Sequence, residues 1–342
     1  MPIGSRCGRW KPRFLWVLIF AVATIGASRS DVPASHTSSA SPHVSCSQRY
    51  EAAVVELRAA RTRACVDTLD AVARRCVTED DASVRGKAHF LRAEVLLLSG
   101  EWDAASGAAR DATGAQPSTV RAEAILAAAE LGKSAIEQIK DDVAADRYER
   151  ALRSASRLLQ TSPRAVEVYV LRALAAVSSD ACGRAKSDLR EALRLDPHNV
   201  DARLVLSQAL LRCPGGLGHT GNVFPGDVSM ESTHPVGDQN SVTALVSRAL
   251  RASITVLRDC LKVDPGNSEC VSRRKVDYEA LEILGVMTTA EKNKDWRLMQ
   301  RKLDEFKSHF AKRETGNFPF PVELECLACR ALSRLVRAES AA

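Results

Sequence analysis

Cys326-Leu-Ala-Cys329 is the one spacing in this 342-residue chain that invites redox or metal chemistry. A Cys-x-x-Cys redox centre works when its thiols stand at the N-terminus of a helix that follows a strand, where the helix dipole lowers the thiol pKa. Here the pair lies inside a helical pattern with no strand beside it, and no second ligand pair completes a zinc site. The seven histidines, His36, His43, His89, His198, His219, His234 and His309, fall in no metal or triad spacing. No Walker loop, Gly-x-Ser-x-Gly elbow or paired-carboxylate site is present. The reading is of a protein that is not an enzyme and uses no cofactor or metal.

The remaining cysteines point to structure. Cys46 and Cys76 fall at the open end of a first helical hairpin, where they can face each other. Cys182 and Cys213 fall at the tips of successive hairpins and make a further candidate pair. The sequence leaves both pairings open. Cys65 reads as a small buried residue.

What would position these residues is a helical repeat. Four segments share one spacing, a small residue followed at plus four, plus seven and plus twelve, the last a proline. They are Ala105, Ala109, Ala112, Pro117; Ala151, Ala155, Leu158, Pro163; Ala185, Leu189, Ala192, Pro197; and Ser253, Leu257, Cys260, Pro265. This is the second-helix signature of a tetratricopeptide (TPR) repeat. Small residues let two antiparallel helices approach closely, and the proline stops the second helix. The prediction is an all-α TPR solenoid, a right-handed superhelix of helix-turn-helix units. Trp102, Tyr148 and Trp296 occupy the aromatic slot of three turns.

Proline spacing gives the register. Pro163 to Pro197 is 34 residues, one repeat, whereas Pro117 to Pro163 is 46, so about twelve residues lengthen the third hairpin's first helix. The 68 residues from Pro197 to Pro265 hold one hairpin, Val200–Arg212 with Ser241–Val263. Between its helices the Gly- and Pro-rich stretch 213–240 has no period and is expected to be a disordered inserted loop. A last helix is expected at about Pro321–Ala338, and the array as a whole covers 46–338.

The N-terminus speaks to location. Arg6, Arg9, Lys11 and Arg13 precede a fourteen-residue apolar run, Phe14 to Ala27, that ends in Gly26, Ala27 and Ser28. This is a secretory signal pattern, shorter than the roughly 20 residues of a membrane span. An uncleaved signal anchor is the alternative. Residues 1–28 are expected to be removed and 29–45, rich in Ser, Ala, Pro and His, to be a flexible linker. Loss of those four basic residues takes the formal net charge from +6 to about +2, which argues against nucleic acid as partner. Low aromatic content, 5%, argues against a β-rich domain.

Leu257-Arg-Asp-Cys-Leu-Lys-Val-Asp-Pro-Gly-Asn-Ser-Glu-Cys270, Lys275 to Leu284, and the turn from Ala290 through Lys294-Asp-Trp296 resemble one co-chaperone family. It is the endoplasmic-reticulum J-domain family with an N-terminal TPR array (DnaJ subfamily C, PKR-inhibitor type). Ala185-Lys-Ser-Asp-Leu189 and the long third first-helix leading to Arg147-Tyr148 are similar too, so the resemblance covers essentially all of 46–338 in order. It implies a lumenal protein, a disulfide between Cys260 and Cys270, and binding of unfolded clients beside an Hsp70. Family members carry a J domain whose His-Pro-Asp motif stimulates Hsp70 ATPase. The near match here, His234-Pro235-Val236, lies in the Gly/Pro stretch, and ATPase stimulation is expected to be absent.

TPR grooves are lined by the first helix of each repeat. The slots of a Lys/Asn/Arg carboxylate clamp hold Phe90 and Glu94 in the second repeat and Val170 and Leu174 in the fourth, which cannot clamp a carboxylate. Phe90, Leu97 and Leu98 instead suit apolar polypeptide segments, or else complete the packing between repeats. The expected function is a lumenal holder of unfolded or nascent polypeptides. The alternative is an adaptor for one folded partner.

Overall fold

The computed structural model describes residues 45–59, 61–76, 81–115, 120–212 and 242–311. They form twelve α-helices: α1 Cys46–Arg58, α2 Thr62–Arg75, α3 Ala82–Ser99, α4 Trp102–Ala115, α5 Val120–Ala144, α6 Tyr148–Thr161, α7 Val166–Ser178, α8 Cys182–Leu195, α9 Val200–Arg212, α10 Val242–Val263, α11 Ser268–Lys292 and α12 Trp296–Ala311. Among the described residues there is no strand. Each helix packs on its successor, and the first helices of neighbouring hairpins also touch, α1 on α3, α3 on α5, α5 on α7 and α7 on α9. This is the all-α TPR solenoid that the repeat spacing predicts.

The hairpin turns share one backbone solution. Gly100 (φ 81°), Asp146 (φ 57°), Asp180 (φ 57°) and Lys294 (φ 59°) each follow a first helix in the left-handed conformation. The next amide then reaches back five residues, Glu101 N to Leu96 O at 3.0 Å, Arg147 N to Asp142 O at 2.8 Å, Ala181 N to Ala176 O at 2.8 Å and Asp295 N to Ala290 O at 2.9 Å. These bonds satisfy carbonyls that the helix end would leave orphaned. Starts are capped by side chains where the sequence allows. Ser45 and Gln48 form a reciprocal capping box on α1, and the Asn267 carboxamide oxygen accepts the Cys270 amide at 2.9 Å on α11.

All twelve signature residues other than the prolines are buried, from Ala105 through Cys260. The same positions in α2 and α12 are filled by Cys65, Leu69, Val72 and by Met299, Leu303, Phe306, which are buried too. Those two helices escape the sequence pattern because they use larger side chains and lack the proline at plus twelve.

The extra length of α5 shifts the array. Having run past the α3–α4 turn, the chain returns through α6 and ends beside that turn rather than at the far end of the hairpin. There Ser162 Oγ donates to Leu97 O at 2.8 Å, Arg164 N donates to Leu98 O at 3.0 Å, and a Cβ on Gly100 would stand 2.5 Å from Ala165 Cβ. Twelve added residues amount to about 18 Å of helix.

Disulfides join Cys46 to Cys76 across the open end of α1–α2, with Cα atoms 5.9 Å apart, and Cys260 to Cys270 across the α10–α11 junction, at 6.4 Å. Cys182 is also disulfide-bonded; its partner lies outside the described residues, as does Cys213. Cys65 is a free, buried thiol whose pKa burial pushes up. The leader, the linker up to Val44, the stretch 213–240, the Cys326–Cys329 pair and the final helix expected at 321–338 lie outside the described residues. Among the described residues, no helix is long and apolar enough to cross a membrane.

Candidate polypeptide-binding surface

Phe90, Leu97 and Leu98 all belong to α3, but the fold gives them different surroundings. Phe90 and Leu97, two turns apart on one face, are half-buried against the main core. The Arg121 guanidinium, from the start of α5, stands 5.0 Å from the centre of the Phe90 ring and pairs with Glu94 at 3.2 Å. Burial pushes the Glu94 carboxyl up, and Arg121 partly offsets it. Leu98 is 40% exposed. The structure thus brings Phe90 and Leu97 to the edge of the core, with Arg121 over the Phe90 ring, and leaves Leu98 exposed.

The clamp slots behave as their residue types require. Glu94 is consumed by Arg121, Val170 is buried, and Leu174 packs against the main core. None is a cation that could take a terminal carboxylate.

A longer surface runs along α5. Ala124, Ala127, Leu131, Ser134 and Gln138 are all exposed, at steps of three, four, three and four. That spacing lines one helical face. The stripe carries no charge over four turns, about 21 Å, and Leu131 at its centre is 72% exposed. Of the charged residues of α5, Lys133 is held by Asp103 and Glu130, and Lys140 by Glu137 and Glu167 at 3.0 Å each, while Glu123 and Asp141 are exposed along one edge of the stripe. These hydrogen bonds raise both lysine pKa values, led by Asp103 and by Glu167. Sequence reading missed this stripe, because four of its five residues are small or polar. The signal that could have found it is the heptad-like spacing of uncharged residues around Leu131.

On nearly the opposite side of α5, about 150° around the helix, lies a cleft of about 510 Å³ over the α3–α4 turn, floored by Trp102 and Ile136 and rimmed by Lys133, Glu137, Lys140 and Glu167. It exists because α5 overshoots that turn. Trp102, 5% exposed, is pressed against Gly132 of α5, where an added Cβ would meet its Nε1 at 2.2 Å. The ring so fills the space between hairpins that only glycine fits opposite it. Its indole N–H finds no acceptor among the described residues.

Among the described residues no three His, Cys, Asp or Glu side chains converge as a metal site. Of the histidines, His89 is half-buried, 3.7 Å from Asp111, and His309 Nε2 lies 3.1 Å from Val276 O and 3.5 Å from Glu279. The arrangement offers apolar and neutral surface beside fixed ion pairs.

No family model matches the chain, and no curated protein matches it. Among solved structures, it is similar to the P58(IPK) TPR domain, at 17% identity and a TM-score of 0.52, over 87% of this chain and 76% of that one. The TPR2AB domain of yeast Sti1, in a structure described as a complex with Hsp90, aligns over 69% of this chain and 84% of its own at 14% identity, with a TM-score of 0.27, too loose to carry argument. At such identities the first likeness speaks to the fold. By helix order, turn geometry and buried signature, this chain has the fold of a tetratricopeptide-repeat protein.

Proposed function

We propose that this chain is a secretory-pathway TPR protein that holds unfolded or nascent polypeptide segments, in the manner of a co-chaperone. One observation carries the reading: the uncharged, exposed stripe on α5, centred on Leu131, in a fold whose first helices form binding surfaces. At about 3.3 Å per residue, a 21 Å stripe matches an extended segment of about six residues. Leu98 adds an exposed apolar contact on α3.

Disulfides support the compartment, since they persist in oxidising environments and are rare in the cytosol. Cys46–Cys76 and Cys260–Cys270 are joined, and Cys182 is bonded too. The signal pattern at residues 6–28 favours the endoplasmic-reticulum lumen. The Cys260–Cys270 pairing, the long α5 and the likeness to the P58(IPK) domain favour kinship with the DnaJ subfamily C co-chaperones. The activity proposed is holding of such segments beside a lumenal Hsp70.

The test is suppression of aggregation of an unrelated denatured protein by the purified, disulfide-intact chain. Suppression at near-equimolar ratio is the expected result. No suppression, together with capture of a single folded partner, would favour the adaptor reading instead.

A further inference from the structure

We propose that a second surface, the cleft between α6 and α8 on the second-helix side, binds an acidic polypeptide segment through Arg153, Arg157 and Arg184. The cleft has a volume of about 210 Å³ and is lined by Glu149, Leu152, Arg153, Ser156, Arg157 and Arg184. Three guanidiniums therefore face one carboxylate.

The nearby acids that could have neutralised them are already committed. Asp188, nearly buried, takes Arg172 in a two-pronged pair at 2.6 and 2.8 Å. Asp142, fully buried, takes Arg147 and Arg150 at 2.9 and 3.0 Å. Glu191 takes Arg194 at 2.5 Å. None of Arg153, Arg157 and Arg184 forms an ion pair among the described residues, and all three are exposed. Ser156, which lines the cleft, accepts from Arg172 Nη1 at 3.2 Å through its Oγ.

The helix field has the same sign. Arg184 stands in the first turn of α8, where Ala181 provides no side-chain cap and no acid is present. The first turn thus holds no acid against the positive end of that dipole, and Asp180, just before the cap, is paired with Arg212.

The spacing selects the ligand class. Arg153 and Arg157 are one helical turn apart, about 6 Å along the axis. Alternate side chains of an extended segment repeat at about 6.6 Å, so two carboxylates on such a segment can each take one guanidinium while a third reaches Arg184. A single phosphate would need all three to converge on one group. Guanidinium–carboxylate pairing is charge-assisted and planar, which favours arginine over lysine for this contact.

The experiment measures binding of a dye-labelled hexaglutamate peptide to the full chain by fluorescence anisotropy, at low and at physiological salt. Wild type is expected to bind, more weakly as salt rises. Arg153→Ser/Arg157→Ser/Arg184→Ser is expected to bind about tenfold more weakly, as three exposed ion pairs warrant. Glu149→Gln should shift affinity the other way, which a general loss of folding cannot do. Equal binding by wild type and the triple variant, or no binding by wild type, would overturn the proposal. So would arginine-dependent binding of a phosphoserine peptide or of anionic vesicles without binding of hexaglutamate.

Discussion

At the scale of single residues, the three apolar side chains of α3 separate into packing and presentation. Phe90 and Leu97 are half-buried against the core, so Phe90→Ser or Leu97→Ser is expected to cost about 1–3 kcal/mol in urea unfolding. Leu98→Ser removes mainly exposed surface and should stay within about 0.5 kcal/mol of wild type. Equal losses at all three would show that Leu98 packs as tightly as its neighbours. His89 supplies the pH dependence. Burial lowers its pKa; Arg92 and Arg85 act with the burial, while Asp111 and Asp70 oppose it. The folded pKa therefore lies below the unfolded one, and the unfolded chain binds more protons in that window. His89 thus contributes stability above the ordinary histidine pKa that is lost as pH falls through the folded value. The midpoint of thermal unfolding is expected to drop over that interval in wild type and to drop less in His89→Gln. The clamp-slot residue types were legible in the sequence. The Arg121 contact was not, because Arg121 lies 27 residues from Glu94 and nothing local joins them.

At the scale of elements, sequence periodicity located the helices, and α9 falls where it placed it, Val200–Arg212. It also read α5 as merely long. The consequence, a step that places α6's end beside the α3–α4 turn, depends on how Ser162, Arg164 and Gly100 meet in space. Two glycines hold that step. Gly132→Ala should cost about 1–3 kcal/mol, since its Cβ would strike the Trp102 ring, and Gly100→Ala at least about 1–2, since it adds a left-handed φ to a clash with Ala165. Gly107→Ala, in a helix with open space around it, should instead stabilise by about 0.5–1 kcal/mol. A uniform response of the three in urea titrations would contradict the contacts described.

At the scale of the molecule, the solenoid is several cores rather than one. A large cluster spans α3 to α9, a smaller one involves α1 to α3, and two more lie among α9 to α12. Two disulfides tie regions outside the large cluster, Cys46–Cys76 the first hairpin and Cys260–Cys270 the α10–α11 junction. Their sequence separations are 30 and 10 residues, so on loop entropy the first constrains the unfolded chain more, by about 1 kcal/mol. Cys46→Ala/Cys76→Ala is expected to be the more destabilising pair in calorimetry, and the reverse order would place the weight of stability at the α10–α11 junction. Fold class and repeat register were legible because TPR packing writes small residues at fixed steps. The binding stripe was not, because an uncharged exposed face has no packing signature of its own. That stripe is also where the account is most exposed to test. The affinity of the full chain for a reduced, denatured client, compared between wild type and Leu131→Asp, measures it directly. Placing a charge at its centre is expected to weaken binding at least about tenfold, with helicity and unfolding midpoint unchanged, since Leu131 is 72% exposed. Unchanged affinity in a folded Leu131→Asp variant would contradict the claim that polypeptide is held along α5.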